Sequence, residues 1–406
     1  MLHLVLFILI FAPILFQMKQ SILFLALILM VGKSAFSQVP TLSEKSKVSL
    51  LTCAAGDELY YAFGHSAFRV QDPTLGIDVV YNYGTFDFNR PNFYLNFVKG
   101  KLIYSLSRRN FDSFLFEYEL EKRWVKEQIF DLSLAERNEM LQFFENNYLP
   151  ENRDYLYDPL LNNCSSIVGD ILIDQFGDSI NFDGSYLEKR YTFRELVRQH
   201  LKINSWSAFG IDLAFGSVVD RKATLKEHMF LPYYAMKQIR NTTKDGKPLL
   251  ERERIVLDYG KYVKNGSFAA SPLFWFILLF LFTGVITYVD YKHKTRSRWL
   301  DFSLFLITGL IGLCLMLLWL ATDHTSTPKN FNVLWAVPFH IFIAFVIIFQ
   351  KQLPNWFSKY IWFAIASLGV LIILWIAEIQ VFSPVLVPIL LTMAIRYGYL
   401  LKFSKP

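Results

Sequence analysis

Apolar residues follow two regimes along this chain. From 272 onward they form five long runs, at 272–289, 301–321, 333–350, 357–377 and 381–399. Each approaches the roughly 20 residues that cross about 30 Å of hydrocarbon as a helix. Pro384 and Pro388 interrupt the last one. Between 45 and 270 the runs are short and mixed with polar positions. Residues 48–52, 66–70 and 78–88 are β-branched or aromatic and predict strands, with Gly84 inside the third. Ser133 with Glu136 forms a capping box, Leu134, Leu141, Phe144 and Tyr148 then share a helical face, and Pro150 ends the run. The pair Asn162-Asn163 predicts the next N-cap, Ile167, Ile171 and Leu172 the buried stripe, and Gly177 the stop. That spacing puts Cys164 in the first helical turn. Thr192 with Glu195 opens a further helix over 193–201. The pattern predicts an α+β domain followed by an all-α bundle of about five transmembrane helices.

The N-terminus divides the chain further. Residues 1–17 are apolar, and Met18 then begins a complete signal-peptide pattern: basic Lys19, an apolar core over 21–31, and Ala35-Phe36-Ser37 as the cleavage site. We read 1–37 as a signal peptide with translation starting at Met18; an uncleaved N-terminal anchor is the alternative. Residues 38–270 form the exported domain and 271–406 the membrane domain. The cations agree with this division. Lys292, Lys294, Arg296 and Arg298 follow the first span, Lys351 and Lys359 flank the third, and Arg396, Lys402 and Lys405 mark the tail. Positive loops stay inside, which predicts a bacterial inner-membrane protein with a periplasmic domain and a cytoplasmic C-terminus.

Composition changes this picture little. The chain is 53% hydrophobic and 19% charged, below the quarter usual for soluble domains. A net charge of +6 is accounted for by the cations beside the spans and calls for no nucleic-acid partner. Three cysteines, Cys53, Cys164 and Cys314, are too few for a disulfide scaffold, although a Cys53–Cys164 bridge is open to an exported domain.

Cys164 is the leading candidate for chemistry, because a thiolate at a helix start is stabilised by unpaired backbone N–H groups. His65, preceded by Gly64, is the candidate base. Asn82, Glu58 and Asp87 are candidates to orient its ring. His200 and His228 have no comparable local context. Arg153, Tyr83, His324, Asn332 and Trp335 are candidate lipid or substrate contacts. Asn332, Trp335 and His340 begin the third apolar run, where polar side chains are costly and often functional. No metal-ligand spacing, P-loop, dinucleotide fingerprint or GxSxG elbow occurs, so no metal and no cofactor is expected.

Several of these segments together resemble one family. Gly64-His65-Ser66-Ala67, the stretch 81–88, Pro150-Glu151-Asn152-Arg153, Asn162-Asn163-Cys164, and the Asp323-His324 loop with Leu334-Trp335-Ala336-Val337-Pro338 resemble the Lnb-type lipoprotein N-acyltransferases. The resemblance runs in order through most of residues 47–350. It implies Cys164 as nucleophile and His65 as its base. It also implies transfer of an acyl chain from a lipid ester, through a thioester on Cys164, to the α-amine of a lipoprotein's N-terminal lipidated cysteine. The implied partners are a phospholipid or lipoprotein acyl donor and a diacylated lipoprotein acceptor. The order of a strand-borne His and then a helix-opening Cys is similar to permuted papain-like (NlpC/P60-like) folds. Two other readings remain: a periplasmic cysteine peptidase or amidase acting on cell-wall peptides, and a non-enzymatic envelope protein with a structural disulfide.

Overall fold

The computed structural model describes residues 39–56, 58–260, 267–350 and 352–403. The proposed signal peptide over 1–37, with its start at Met18, lies outside the described residues.

Strand-forming residues upstream of 260 assemble one antiparallel sheet. Its strands are β1 (Lys47–Cys53), β2 (His65–Asp72), β3 (Ile77–Thr85), β4 (Ile103–Asn110), β5 (Val125–Phe130), β6 (Asp154–Leu156) and, after a small three-stranded sheet of β7 (Ile180–Phe182), β8 (Thr242–Lys244) and β9 (Lys247–Pro248), the last strand β10 (Leu250–Leu257). The seven-stranded order is β10-β5-β1-β2-β3-β4-β6. Alternation along the strands gives the sheet two apolar faces. One is covered by helix Leu134–Tyr148, whose Phe144 stacks on Tyr81 (4.8 Å) and lies tilted against Phe68 (5.0 Å). The capping box read from Ser133 and Glu136 is formed. The other face carries Leu51, Cys53, Ala67 and Val80 and is covered by Phe111, Phe114 and Tyr118 of helix Phe111–Leu120.

The C-terminal region is helical. Among the described residues, four helices are long and apolar enough to cross a membrane: Pro272–His293, Arg298–Leu320, Asn355–Ile376 and Pro384–Phe403. The third predicted run differs from expectation. It holds a 3₁₀ turn, Phe331–Leu334, then Pro338, then a ten-residue helix, His340–Phe349. Pro338 cannot donate to a continuing helical ladder, so the run breaks there. Ten residues rise only about 15 Å. Inside the bundle, the His340 ring is held between the Thr308 hydroxyl (2.9 Å) and the Tyr397 hydroxyl (3.1 Å). That is hydrogen bonding between helices, with both ring nitrogens satisfied. Arg396 is buried and pairs with Asp290 and Asp301, which ties the last helix to the turn between the first two.

The sheet domain is fixed to the bundle by polar contacts out of water. Asn330 Nδ2 donates to the carbonyls of Leu213 (2.8 Å) and Ala214 (3.0 Å), at the end of helix Trp206–Ala214. Gly216 N–H donates to Ser326 O (2.9 Å) and Ser217 N–H to Lys329 O (3.0 Å). Buried Arg194 pairs with Asp212 (3.1 Å) and Asp220 (2.7 Å) beneath this joint. Arg198 pairs with Asp212 (2.9 Å) and donates to Phe382 O (3.1 Å). The aromatic segments 209–215 and 229–234, whose sequence favours core slightly over a lipid entrance, belong to the core: Phe209 and Leu213 pack on the bundle, and Phe230, Leu231 and Tyr234 fill a cluster with Phe193 and Leu196.

Candidate active site

Sheet register brings His65 and Asn82 together. Cys53 lies opposite His65 across β1 and β2, and Phe68 lies opposite Tyr81 across β2 and β3. Continuing that register sets His65 beside Gly84. A Cβ on Gly84 would overlap the imidazole, so the ring occupies space that glycine alone leaves open. Gly64 has φ +84°, and a Cβ there would stand 2.7 Å from Cys53 O. Glycine thus permits both the turn into β2 and the ring's position.

Asn82 orients the ring. His65 Nε2 lies 2.8 Å from Asn82 Oδ1, and Gly84 N–H donates to the same oxygen at 2.8 Å. That backbone donor identifies the atom facing the ring as the amide oxygen. Nε2–H therefore donates, and the lone pair of Nδ1 is left for the thiol. The other two candidates do not reach the ring. Asp87 accepts from Asn89 N–H (2.8 Å), and Glu58 is exposed at the start of a 3₁₀ turn.

Cys164 arrives from a capping turn. The helix predicted to include it begins two residues later, at Ser166–Phe176. Asn163 explains the delay. Its Oδ1 accepts from Ser165 N–H (2.8 Å) and Ser166 N–H (2.9 Å), while its Nδ2 donates to Pro159 O (2.8 Å) and Phe230 O (3.0 Å). The Asn163 side chain thus serves the orphan donors of the helix, and Cys164 projects from the turn ahead of it. Its sulfur is hydrogen-bonded to His65 and accepts from the backbone N–H groups of Ser66 and Cys164 itself.

These contacts set the electrostatics. Burial alone would raise the Cys164 thiol, but the charge and hydrogen bond of His65, with the two backbone donors, outweigh it and lower the pKa. Burial alone would lower His65, but the Cys164 charge, the bond to it and the bond to Asn82 raise its pKa. Both shifts favour a thiolate–imidazolium pair. Cys53 is the internal contrast. Burial pushes it up to about 12, only partly offset by its hydrogen bond to Tyr118. Both are free thiols, so the structure does not contain the Cys53–Cys164 disulfide that the sequence left open.

A prediction follows from that contrast. Cys164 is expected to be alkylated by iodoacetamide at pH values below the ordinary thiol pKa of 9.0, with Cys53 unmodified. Peptide mass spectrometry across a pH series reads both sites in one sample. A second prediction concerns Gly84. Gly84→Ala is expected to displace the imidazole and lower turnover by about 10²-fold, the scale of a 1 Å misplacement. Rates measured beside circular dichroism spectra would separate this from unfolding.

An aromatic wall completes the site and was not legible in advance. Tyr104 stacks on Tyr157 (4.0 Å), and Tyr155 lies 6.4 Å from Tyr104 and 6.3 Å from Tyr83. Tyr104, Tyr155 and Tyr157 lie near enough to Cys164 for their phenols to be pushed up by its charge, beyond the larger effect of burial. The Tyr155 hydroxyl is buried and has no hydrogen-bond partner among the described residues. The spacing Tyr155-x-Tyr157 just before the cysteine turn was the available signal.

The remaining candidates are dispersed. Tyr83 is buried and accepts from Asn147 Nδ2 at 3.0 Å. Arg153 is exposed, and its neighbour Asp154 pairs with Arg90 instead. His324 lies 3.2 Å from Val98 O, on the loop leaving the second long apolar helix. Asn332 and Trp335 are buried and bonded to each other (3.0 Å), with Asn332 also reaching Leu213 O (3.3 Å). These two brace the joint to the bundle and expose almost no surface for a lipid.

The cysteine turn is itself anchored to the bundle. Asp158 accepts from Leu160 N–H and Leu161 N–H (2.8 Å each) and from the Thr325 hydroxyl (2.5 Å). Fold and site define an integral membrane protein with a cysteine–histidine–asparagine constellation beside the ends of its apolar helices. The chain belongs to the Lnb family: the model described as Lnb N-terminal periplasmic domain matches residues 41–199, and that described as Lnb transmembrane domain matches residues 264–405. It is accordingly an inner-membrane protein with a periplasmic domain. Neither a curated protein nor a solved structure matches it.

Proposed function

We propose that this protein is a lipoprotein N-acyltransferase that works through an acyl-thioester on Cys164. The observation that carries the reading is the His65 ring, hydrogen-bonded to Asn82 on one side and to Cys164 on the other. In the first half-reaction the Cys164 thiolate attacks the carbonyl carbon of a lipid ester. The C–S bond forms, the C–O bond breaks, and the leaving alkoxide takes a proton from His65. Ser66 N–H and Cys164 N–H, which hold the thiolate at rest, turn to the tetrahedral oxyanion as the sulfur loses its charge on forming the C–S bond, with the Tyr155 hydroxyl as a third donor. In the second half-reaction the α-amine of a lipoprotein's N-terminal cysteine attacks the thioester. The C–N bond forms, the C–S bond breaks, and His65 takes the amine proton. The thioester keeps the acyl group activated, and the overall exchange of ester for amide ends downhill, so no nucleotide, metal or cofactor is called for. Two successive half-reactions imply ping-pong kinetics.

The finer architecture belongs to the same proposal. The exported domain is permuted papain-like, with its His on β2 and its Cys ahead of a helix. The broken run 331–349 serves as the third of five membrane segments, and that odd number leaves the C-terminus in the cytoplasm. The acyl donor is a phospholipid or the lipoprotein's own glyceride.

The test is production of the protein in a strain lacking its own lipoprotein N-acylation enzyme. Mass spectrometry then reads the N-terminal peptide of one abundant lipoprotein. An acylated amine is the expected result, and the chain lost from the donor identifies it. A free amine at normal protein levels would overturn the proposal and bring forward the cell-wall peptidase, which would use the same three residues.

A further inference from the structure

A short helix beside the site has its apolar side facing outward. Helix α1 (Phe93–Lys99) follows Pro91 and presents Tyr94, Leu95, Phe97 and Val98 at 71, 50, 56 and 57% exposure. These positions follow i, i+1, i+3 and i+4 spacing, so they form one stripe. Phe88, just before the helix, is 57% exposed as well. No other element covers the stripe among the described residues. An uncharged patch of this kind is unusual on a surface that meets water.

The position of α1 indicates what covers the stripe. Its last turn is bound to the loop that leaves apolar helix Arg298–Leu320: Asp323 N–H donates to Lys99 O (2.9 Å), His324 lies 3.2 Å from Val98 O, and Lys101 pairs with Asp323 (3.2 Å). On that apolar helix, Leu313, Leu317 and Leu320 are exposed, the last at 68%, and these are lipid-facing positions of a spanning helix. The exposed stripe of α1 is therefore tied, through its last turn, to the loop at the end of an apolar helix that exposes leucines. Lys99 closes the helix and Lys101 follows its Gly100 cap, where cations meet lipid headgroups.

The inner side of α1 leads toward the nucleophile. Phe93 contacts Phe86 (6.1 Å), Phe86 contacts Tyr104 (5.1 Å), and Tyr104 stacks on Tyr157 beside Cys164. A cleft of about 300 Å³ opens between α1 and the start of β4, lined by Arg90, Phe93, Asn96, Leu102 and Ile103 among others.

We propose that α1 is an interfacial helix whose Tyr94–Val98 stripe is sunk in the outer leaflet of the inner membrane. There the lane from Phe93 to Tyr157 receives an acyl chain directly from the bilayer. The lane's cargo rests on the acyl-transfer reading, whereas the immersion of α1 does not.

The test uses the full chain in vesicles of phosphatidylethanolamine and phosphatidylglycerol. Nitroxide labels are placed one at a time by Leu95→Cys and Phe97→Cys, in a background of Cys53→Ala, Cys164→Ser and Cys314→Ala. Leu317→Cys reports the lipid phase and Glu251→Cys the water phase. Labels at 95 and 97 are expected to collide with oxygen more than with a water-soluble nickel chelate, as the label at 317 does. Behaviour like that at 251, or protection from both relaxants as under a protein cover, would overturn the proposal. A companion variant, Phe97→Asp with the native cysteines, is expected to lose acyl transfer from bilayer lipid while the rate of Cys164 alkylation is unchanged. Transfer at the wild-type rate would overturn the lane. Wild type without any transfer would instead count against the acyl-transfer reading and leave the label result standing.

Discussion

Cys164→Ser is expected to abolish N-acylation, a loss of roughly 10⁴-fold or more, the scale seen when a covalent nucleophile is removed. The change is nearly isosteric, so the fold should tolerate it. The chemistry should not. The sulfur is a nucleophile here because His65, Ser66 N–H and Cys164 N–H together lower its pKa against burial. A serine hydroxyl starts far higher on the pKa scale and would stay protonated in the same surroundings. Cys53 cannot substitute, since burial holds it up to about 12 and it faces Tyr118. The checks are lipoprotein N-terminal mass spectra and protein levels for both forms. Normal activity in the serine variant would remove the covalent route.

His65→Ala is expected to be the second largest effect, a fall of about 10²–10⁴-fold, the usual contribution of a general base. It carries a signature that a structural defect would not produce. Without the ring, burial remains and the main opposing contribution is gone, so the Cys164 pKa moves up. The sign follows from the directions of the shifts. In wild type the thiolate exists above the lowered Cys164 pKa, and the imidazolium exists below the raised His65 pKa. Turnover should therefore rise with pH through the first and fall through the second. In His65→Ala the rising limb should move to higher pH and the falling limb should vanish. Alkylation of Cys164 across the same pH range reports the first shift without requiring turnover.

Much of this site was legible before the fold. Cys164 and His65 stood out because a cysteine after Asn162-Asn163 and a histidine after Gly64 each sit where the backbone changes direction. Asn82 was separable from Asp87 only by face, since Val80, Asn82 and Gly84 alternate with Tyr81 and Tyr83. Register then decided the matter by setting Gly84 beside the ring. Other features depend on contacts distant in sequence. Asn163 was read as a helix cap, yet its bonds to Pro159 and Phe230 fix where the turn stands, and no local pattern encodes the second of these. The break in the third apolar run follows from Pro338 and was masked by its hydropathy. Asn332 and Trp335 read as substrate contacts because polar groups in a span are costly. They resolve that cost by bonding each other and Leu213 O. Helix α1 went unseen because seven residues are too few for a periodicity to emerge.

The most direct test of the account is to look for the acyl group on Cys164. The purified protein in vesicles would be given a donor lipid with isotope-labelled acyl chains and an acceptor lipopeptide whose α-amine is blocked. The second half-reaction then cannot proceed. The account predicts the labelled acyl mass on the peptide containing Cys164, released by neutral hydroxylamine as a thioester and absent in Cys164→Ser. Transfer of label to an unblocked acceptor with no acyl group ever found on Cys164 would contradict it.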